Sequence, residues 1–489
     1  MSAATQTPHS DDAAPAGRGA LLAALRAEIG AAHVLTGEKT RRWQSDWTGV
    51  YRWSPLAVVR PGDAAGVAAV LRLASAHRTP VVPVSGSTGL SGGTHAEGAL
   101  MLSLDRMNRI RAIRPTARVM VVEAGAILSD IHTAAEAEGL VFPLTFGARG
   151  SALIGGCLAT NAGGSNVLRY GNTRGLCLGL EVVLASGEVL DLMTDLHKDN
   201  TGLDLRQLFI GSEGVLGVIT AAVLKLFPRP RAYATAMVAA RGLPEALAIL
   251  NRLQEDTGGK VEAFEYMPRG YIETHLAHVP GAREPFAQTH EVNLMVELGA
   301  TSPADATPRP DGTVPLVEQL EEVLAGLCEQ GLVLDAAIAR NETQRREIWA
   351  RRESAADLTV TSPHPIINDV ALAVDKVESF LARASKRLEQ VDPGARTFVV
   401  AHLGDGNVHY NVWPATTDGT RDEAIRTAIE DTVAELGGSF SAEHGIGVSK
   451  LSSMKRWKDP VALDVMRSIK RALDPLGILN PGKTIPDAG

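Results

Sequence analysis

Residues Thr397–Trp413 read TFVVAHLGDGNVHYNVW. Two β-rich runs flank Gly404–Asn407, a pattern that predicts a hairpin turned at those residues. Pairing Leu403 with Val408 would set His402 directly opposite His409, with Cβ atoms roughly 5 Å apart on one face. Asn411 lies two residues further on and shares that face. Two imidazoles so placed can chelate one metal ion, although two ordinary core or edge histidines would produce the same pattern. A second candidate is Ser441–Gly447, SAEHGIG. Glu443 there could complete a His₂–carboxylate set with a position open to substrate. The alternative is a Glu–His pair leading into a helix near Leu451–Trp457.

A different chemistry is suggested by glycine. Ser85–Thr94 follows an apolar run and carries side chains that are tiny, hydroxylated or absent. Backbone N–H groups in such a loop can converge on an anion such as a pyrophosphate, and a plain tight loop would look alike. It lacks the G-x-G-x-x-G spacing of nicotinamide-binding folds. Gly155–Gly164 and Gly211–Gly217 repeat the theme, and turns alone do not explain three such segments.

The elements that must position these residues are legible in outline. Helices are expected over Ala20–Ile29, Ala64–Ala76 and Leu128–Glu138, then over Leu243–Glu255, Val314–Gln330 and Glu342–Thr359. Strands are expected at Ala57–Arg60, Val81–Val84, Leu100–Leu104, Met120–Glu123, Leu180–Ala185, Val189–Leu192 and Gly217–Leu226. Further strands are expected at Val292–Leu298, Asp369–Val374 and Thr397–Leu403. Phe227–Arg231 is punctuated by proline and makes a plausible boundary. Residues 1–19 lack an apolar segment and read as a disordered tail. The expected units are 20–230, 231–435 and a C-terminal segment, 436–489, in an α+β class.

Composition narrows the function classes. Lysine and arginine number 48 against 56 acids, a net charge of −8, which does not favour nucleic acid or an anionic membrane. Three cysteines, Cys157, Cys177 and Cys328, form no C-x-x-C pair and suffice for neither a disulfide framework nor a four-cysteine iron–sulfur site. No apolar run approaches the ~18–20 residues of a membrane span, and a cytoplasmic location is expected.

Leu153–Gly171 (LIGGCLATNAGGSNVLRYG) and Lys198–Thr220 (KDNTGLDLRQLFIGSEGVLGVIT) resemble the FAD domain of the vanillyl-alcohol oxidase/p-cresol methylhydroxylase superfamily. They are most similar to its D-2-hydroxyglutarate and D-lactate dehydrogenase branch. The resemblance continues to Asn480–Lys483 and so spans nearly the whole chain. It implies a two-subdomain FAD-binding domain, a ferredoxin-like α+β substrate domain, and a C-terminal segment returning to the first.

Several site residues follow from the resemblance. Ser85, Gly86, Ser87, Thr88, Gly89 and Leu90 would cradle the pyrophosphate. Gly147, Ser151, Gly155, Gly156, Thr160, Asn161, Gly164 and Ile219 would line flavin and ribose, with Asn480 near the flavin. No histidine lies in Ser85–Leu90, so FAD is expected to be noncovalent. His402, His409 and Glu443 would bind a divalent metal, usually zinc. His444 would be the base, with Asn411 and His444 against substrate. Arg352, in Ile348–Glu353, would grip the substrate carboxylate, while Arg345, Arg346 and Arg351 are expected on a solvated helix face.

The implied reaction is oxidation of a small D-2-hydroxy acid, with D-2-hydroxyglutarate ahead of D-lactate or another short acid. An external acceptor such as electron-transfer flavoprotein or a quinone would take the electrons, and a homodimer is compatible. Ether-lipid synthases carry a related FAD domain, but no amphipathic membrane anchor is visible here. Two positions depart from the glutarate pattern: Ile367 replaces a lysine and Ala356 a threonine. Lys450 or Lys376 could supply the missing charge. Gly477–Thr484 matches G-x-x-x-x-G-K-S/T, but Pro486 and the end of the chain leave no room for the helix that a phosphate-binding loop must open.

Overall fold

β-Branched and aliphatic runs with no interior proline build the largest sheet of the molecule. The structure is a computed structural model that describes residues 15–488. Seven strands pair antiparallel in the order Val333–Ile338, Ala232–Ala240, Val292–Ala300, Val261–Pro268, Arg396–His402, Asn407–Trp413 and Asp369–Ala371. The strand Val292–Ala300 is buried along its whole length, as a central strand covered on both faces must be. Leucines and phenylalanines of the helices Leu243–Thr257, Pro315–Glu329 and Val377–Val391 pack on one face with Ala236, Val238, Leu294 and Val408. The opposite face presents Phe398, Val400, Met295 and Ala263 to Tyr271, Ile348 and Leu358. His402 and His409 lie on this second face, on the side of the shorter helices Arg269–His278, Glu342–Glu353 and Ala355–Thr359.

The glycine-rich half uses two sheets over one core. Ala57–Val59, Leu100–Ser103 and Val81–Val84 run parallel, with Val34–Leu35 antiparallel at the edge. Ile110–Arg114, Val119–Glu123, Val218–Lys225, Cys177–Val183 and Val189–Leu192 form an antiparallel sheet in that order. The helix Ala64–Ala76 buries Val67, Val70, Leu71 and Ala74 at helical spacing, and the Asp63 carboxylate caps it by accepting from Gly66 N–H. Ile478 and Leu479 enter the same core. Val81 N–H donates to Ile478 O at 2.8 Å and Asn480 N–H to Val81 O at 2.8 Å, so the C-terminal segment lies beside the strand that feeds the Ser85–Thr94 loop. No helix follows Lys483 among the described residues. None of the described helices is long and apolar enough to cross a membrane.

Several expectations need correction. The first helix runs Pro15–Ile29, so it starts within the stretch expected to be a disordered tail; residues 1–14 of that stretch lie outside the described residues. The helix expected over Glu342–Thr359 breaks at Ser354 into Glu342–Glu353 and Ala355–Thr359. Ser354 Oγ donates back to Arg351 O at 2.8 Å there, a local bond that competes with the helix. Asp369–Val374 shortens to Asp369–Ala371. The strands Ala232–Ala240, Val261–Pro268 and Val333–Ile338 were not expected. Val261–Pro268 was obscured by Glu262 and Glu265, which look solvated in sequence but are buried and paired with Arg169 and Arg352.

Candidate active site

The hairpin forms with a different register from the expected one. His402 pairs with Asn407, Val400 with His409 and Phe398 with Asn411, and the turn is Leu403–Gly406. His402 and His409 are therefore diagonal neighbours and not directly opposite. The slip is two residues, and an even slip keeps every side chain on its original face. The two imidazoles still meet, with ring centroids 5.4 Å apart.

Each histidine has a carboxylate directly across the sheet. Glu265, on the strand beside Arg396–His402, is the register partner of His402, and its Oε1 lies 2.8 Å from His402 Nδ1. Asp369, on the strand beyond Asn407–Trp413, is the register partner of His409, and its Oδ1 lies 3.6 Å from His409 Nδ1. Neither acid was singled out from the sequence, where nothing distinguishes them from other acids. Burial would raise the Glu265 carboxyl, but the His402 imidazole and the Arg352 guanidinium offset this and hold it at about 2. Burial likewise opposes protonation of His402, yet Glu265 outweighs it and raises the imidazole above its ordinary value. Burial pushes His409 down to about 3.

Glu443 and His444 arrive from a loop pinned on both sides. Asp369 Oδ2 accepts from Glu443 N–H at 2.8 Å and from His444 N–H at 2.9 Å. Glu213, in the third glycine-rich segment, accepts from Ile446 N–H and Gly447 N–H at 2.8 Å each. Ser91 Oγ donates to His444 O at 3.0 Å. A Cβ at Gly163 would come 2.5 Å from Glu443 Oε1, so the second glycine-rich segment approaches this carboxylate closely at a glycine. His402, His409 and Glu443 each offer a ligand atom, all within 4.8 Å of one another. Two imidazoles and a carboxylate at that spacing suit a divalent ion of the zinc type. Burial raises the Glu443 carboxyl to about 7. His444 stacks on His409 with centroids 5.8 Å apart, and burial lowers its pKa.

Arg352 is buried beside this cluster. Its Nε donates to Glu265 Oε2 at 2.6 Å and its Nη2 lies 3.3 Å from His402 Nε2, while no described residue accepts from Nη1. Asn411 Nδ2 donates to Thr359 Oγ1 at 3.1 Å, and its buried Oδ1 has no partner. Arg345 departs from the expected solvated face: it forks onto the buried Glu297 carboxylate at 2.7 and 2.9 Å. Arg351 is half-buried and donates to Arg283 O at 2.9 Å. Arg346 is solvated as expected. Lys450 is buried and donates to Ser441 Oγ at 2.9 Å, whereas Lys376 is exposed.

The glycine-rich segments converge nearby. A Cβ on Gly86 would lie 2.3 Å from Ser151 O, and one on Gly156 would lie 3.0 Å from Ser85 Cβ. These approaches join the Ser85–Leu90 loop to Ser151 and the helix Ile154–Thr160. Ser85–Thr88 and Leu90 are half-buried and Gly89 is exposed, with open space beside Gly89 and Gly147. Gly164 has φ +144°, and a Cβ there would meet Thr145 O at 2.1 Å. Gly155 packs on Ala124. Thr160 Oγ1 donates to Gly156 O at 3.0 Å, and Asn161 Oδ1 accepts from Arg174 N–H at 2.9 Å, so both are committed within the protein. Ile219 is buried in the core. Asn480 Nδ2 donates to Gly93 O and Glu213 O, and its buried Oδ1 is left without a partner. A half-open cradle of bare backbone ending at an orphaned amide oxygen fits a flavin dinucleotide.

Comparison with known proteins agrees with both halves. The family described as FAD binding domain matches residues 55–193, and that described as FAD linked oxidases, C-terminal domain, matches residues 229–484. The D-2-hydroxyglutarate dehydrogenase of Xanthomonas citri pv. viticola is 36% identical over 445 residues, covering 90% of this chain and 91% of that protein. The mitochondrial D-2-hydroxyglutarate dehydrogenase of Bos taurus is 35% identical over 95% of this chain and 83% of its own. The solved structure of p-cresol methylhydroxylase with substrate bound superposes with a TM-score of 0.76 at 17% identity, covering 97% of this chain and 98% of that one, and so shares the fold.

Proposed function

This chain belongs to the FAD-linked oxidases, and from that premise we propose that it oxidises a D-2-hydroxy acid to the 2-oxo acid, D-2-hydroxyglutarate ahead of D-lactate and other short acids. The protein is an FAD-dependent oxidoreductase. The observation that carries the substrate assignment is the meeting of His402, His409, Glu443 and His444 against Gly163 of a glycine-rich segment. The names of the relatives support it.

Ser85–Leu90, Gly147, Ser151, Gly155, Gly156, Gly164 and Asn480 would hold FAD noncovalently, while Thr160, Asn161 and Ile219 would shape the cradle from behind. Bound FAD supplies the acceptor for the C2 hydride. His402, His409 and Glu443 would hold a divalent ion, with zinc fitting the donor set, and it would supply Lewis acidity toward the substrate's oxygens. Arg352 offers Nη1 to the C1 carboxylate, a pairing suited to a guanidinium. Asn411 lines the substrate side with its unpartnered Oδ1. His444 takes the hydroxyl proton on a ring nitrogen. Its lowered pKa keeps the imidazole neutral and able to accept. As C2 loses its hydride and the oxygen its proton, the C2–O bond becomes a carbonyl. The electrons then pass to an external acceptor such as electron-transfer flavoprotein or a quinone.

The test mixes the purified FAD-loaded protein, with and without added zinc, with D-2-hydroxyglutarate, D-lactate and D-malate in the absence of oxygen. Bleaching of the flavin band by at least one acid, fastest with D-2-hydroxyglutarate and dependent on zinc, is expected. An unbleached flavin across the panel with zinc present would exclude the proposal.

A further inference from the structure

Three N–H donors and two imidazole nitrogens surround one buried carboxylate, that of Asp369. Oδ2 accepts from the backbone of Glu443 and His444 at 2.8 and 2.9 Å and lies 3.7 Å from His444 Nδ1. Oδ1 accepts from Asn407 Nδ2 at 2.9 Å and lies 3.6 Å from His409 Nδ1. The carboxylate side chain is fully inaccessible to solvent. Asp369, His409 and His444 also lie within the spacing of a metal cluster, but three hydrogen bonds already occupy most of the roughly four lone-pair sites of a carboxylate. Asp369 is therefore better suited to orienting donors than to ligating an ion. Both imidazoles turn Nδ1 toward it, and an imidazole so turned has Nε2 left to offer.

We propose that Asp369 is the positioning residue for two functions at once: it selects the Nδ1–H form of His409 and of His444. His409 Nε2 is then free as a metal ligand and His444 Nε2 as a proton acceptor, while the two backbone bonds hold the loop that carries Glu443 and His444 in place. A histidine that ligates metal through one nitrogen commonly donates its other N–H to a carboxylate. Glu265 and Asp369 hold the same cross-strand position toward His402 and His409, at 2.8 Å and 3.6 Å from the respective Nδ1. Asp369 differs in serving the base as well. This inference rests on the metal and base roles proposed above.

The discriminating variant is Asp369→Asn. An amide keeps one acceptor, which the two backbone N–H groups of Glu443 and His444 will claim. Its NH₂ then faces His409 and demands a lone pair from Nδ1, forcing the proton to Nε2. Zinc titration of the FAD-loaded wild type, Asp369→Asn and Glu443→Ala is read by bound zinc and by kcat and KM for D-2-hydroxyglutarate. Asp369→Asn is expected to bind zinc about 10–100-fold more weakly. At saturating zinc, its kcat should fall about 10²-fold or more with KM little changed. Wild-type zinc affinity together with wild-type kcat in Asp369→Asn would overturn the inference. Zinc binding by neither wild type nor variant would instead defeat the metal assignment of His402, His409 and Glu443. A second measurement does not depend on the variant's folding. Proton-coupled ¹⁵N spectra of histidine-labelled, zinc-free wild type should show Nδ1–H on His409 and His444, with assignment by His409→Gln and His444→Gln. Nε2–H on either would overturn the inference.

Discussion

The histidine face and the glycine cradle touch at Gly163, yet they achieve precision by opposite means. On the histidine face carboxylates hold the functional groups in place: Glu265 for His402, Asp369 for the backbone of the Glu443–His444 loop. In the cradle the working feature is missing side chains, so that Ser151 O can stand where a Gly86 Cβ would be and Thr145 O where a Gly164 Cβ would be. The first region depends on charge and directed lone pairs, the second on volume and backbone conformation. They should therefore fail differently: one loses chemistry with the fold intact, the other loses fit before any chemistry is reached.

The largest expected effect isolates the first region. Glu443→Ala removes one of three clustered donors without touching the hairpin. Lewis-acid stabilisation is worth several kcal/mol, so turnover should drop about a thousandfold. FAD content and melting temperature should stay near wild type. Activity above a tenth of wild type would mean that the carboxylate is not needed, and loss of FAD would erase the contrast between the regions.

Gly164→Ala probes the second region. The new methyl meets a backbone oxygen at a position already strained for an L-residue, and such overpacking with strain costs on the order of 3 kcal/mol. FAD retention and thermal stability should fall together, while zinc stoichiometry at His402, His409 and Glu443 in the folded fraction should hold. An alanine variant with wild-type FAD affinity would show that the cradle has slack.

The smallest effect sharpens the contrast through pH. Glu443 has a carboxyl raised to about 7 by burial, and Glu265 raises His402 despite its burial. Both must be unprotonated to ligate. Zinc affinity should therefore hold above pH about 7 and fall about tenfold per pH unit below it as the Glu443 carboxylate protonates. FAD retention should stay flat over the same range, because Ser85–Leu90 carries no titrating side chain. A zinc affinity independent of pH between about 5 and 7 would contradict the assigned ligands.

Much of this was readable in advance, and what was not has identifiable causes. The helix Ala64–Ala76 and the strands Val81–Val84 and Val189–Leu192 fall where periodicity placed them, because local pattern and burial agree there. The hairpin was recognisable, but its turn lies at Leu403–Gly406, since Gly404–Asn407 contains turn residues enough for either four-residue loop. Arg345 read as a surface residue because the sequence does not reveal that Glu297 is buried within reach of it. Val261–Pro268 was missed for the same reason, its two acids being hidden by partners far along the chain.

Residue order alone is enough to show which side chains could do the chemistry and which face of the hairpin carries them. Side chains alternate with period two, and an even error in register leaves that alternation intact. Which acids stand behind the histidines depends on the folded chain. Glu265 is 137 residues from His402, and Asp369 reaches the Glu443 backbone across 74 residues. Sheet order alone makes them neighbours, because hydrogen-bonded strand pairing takes no account of distance along the chain.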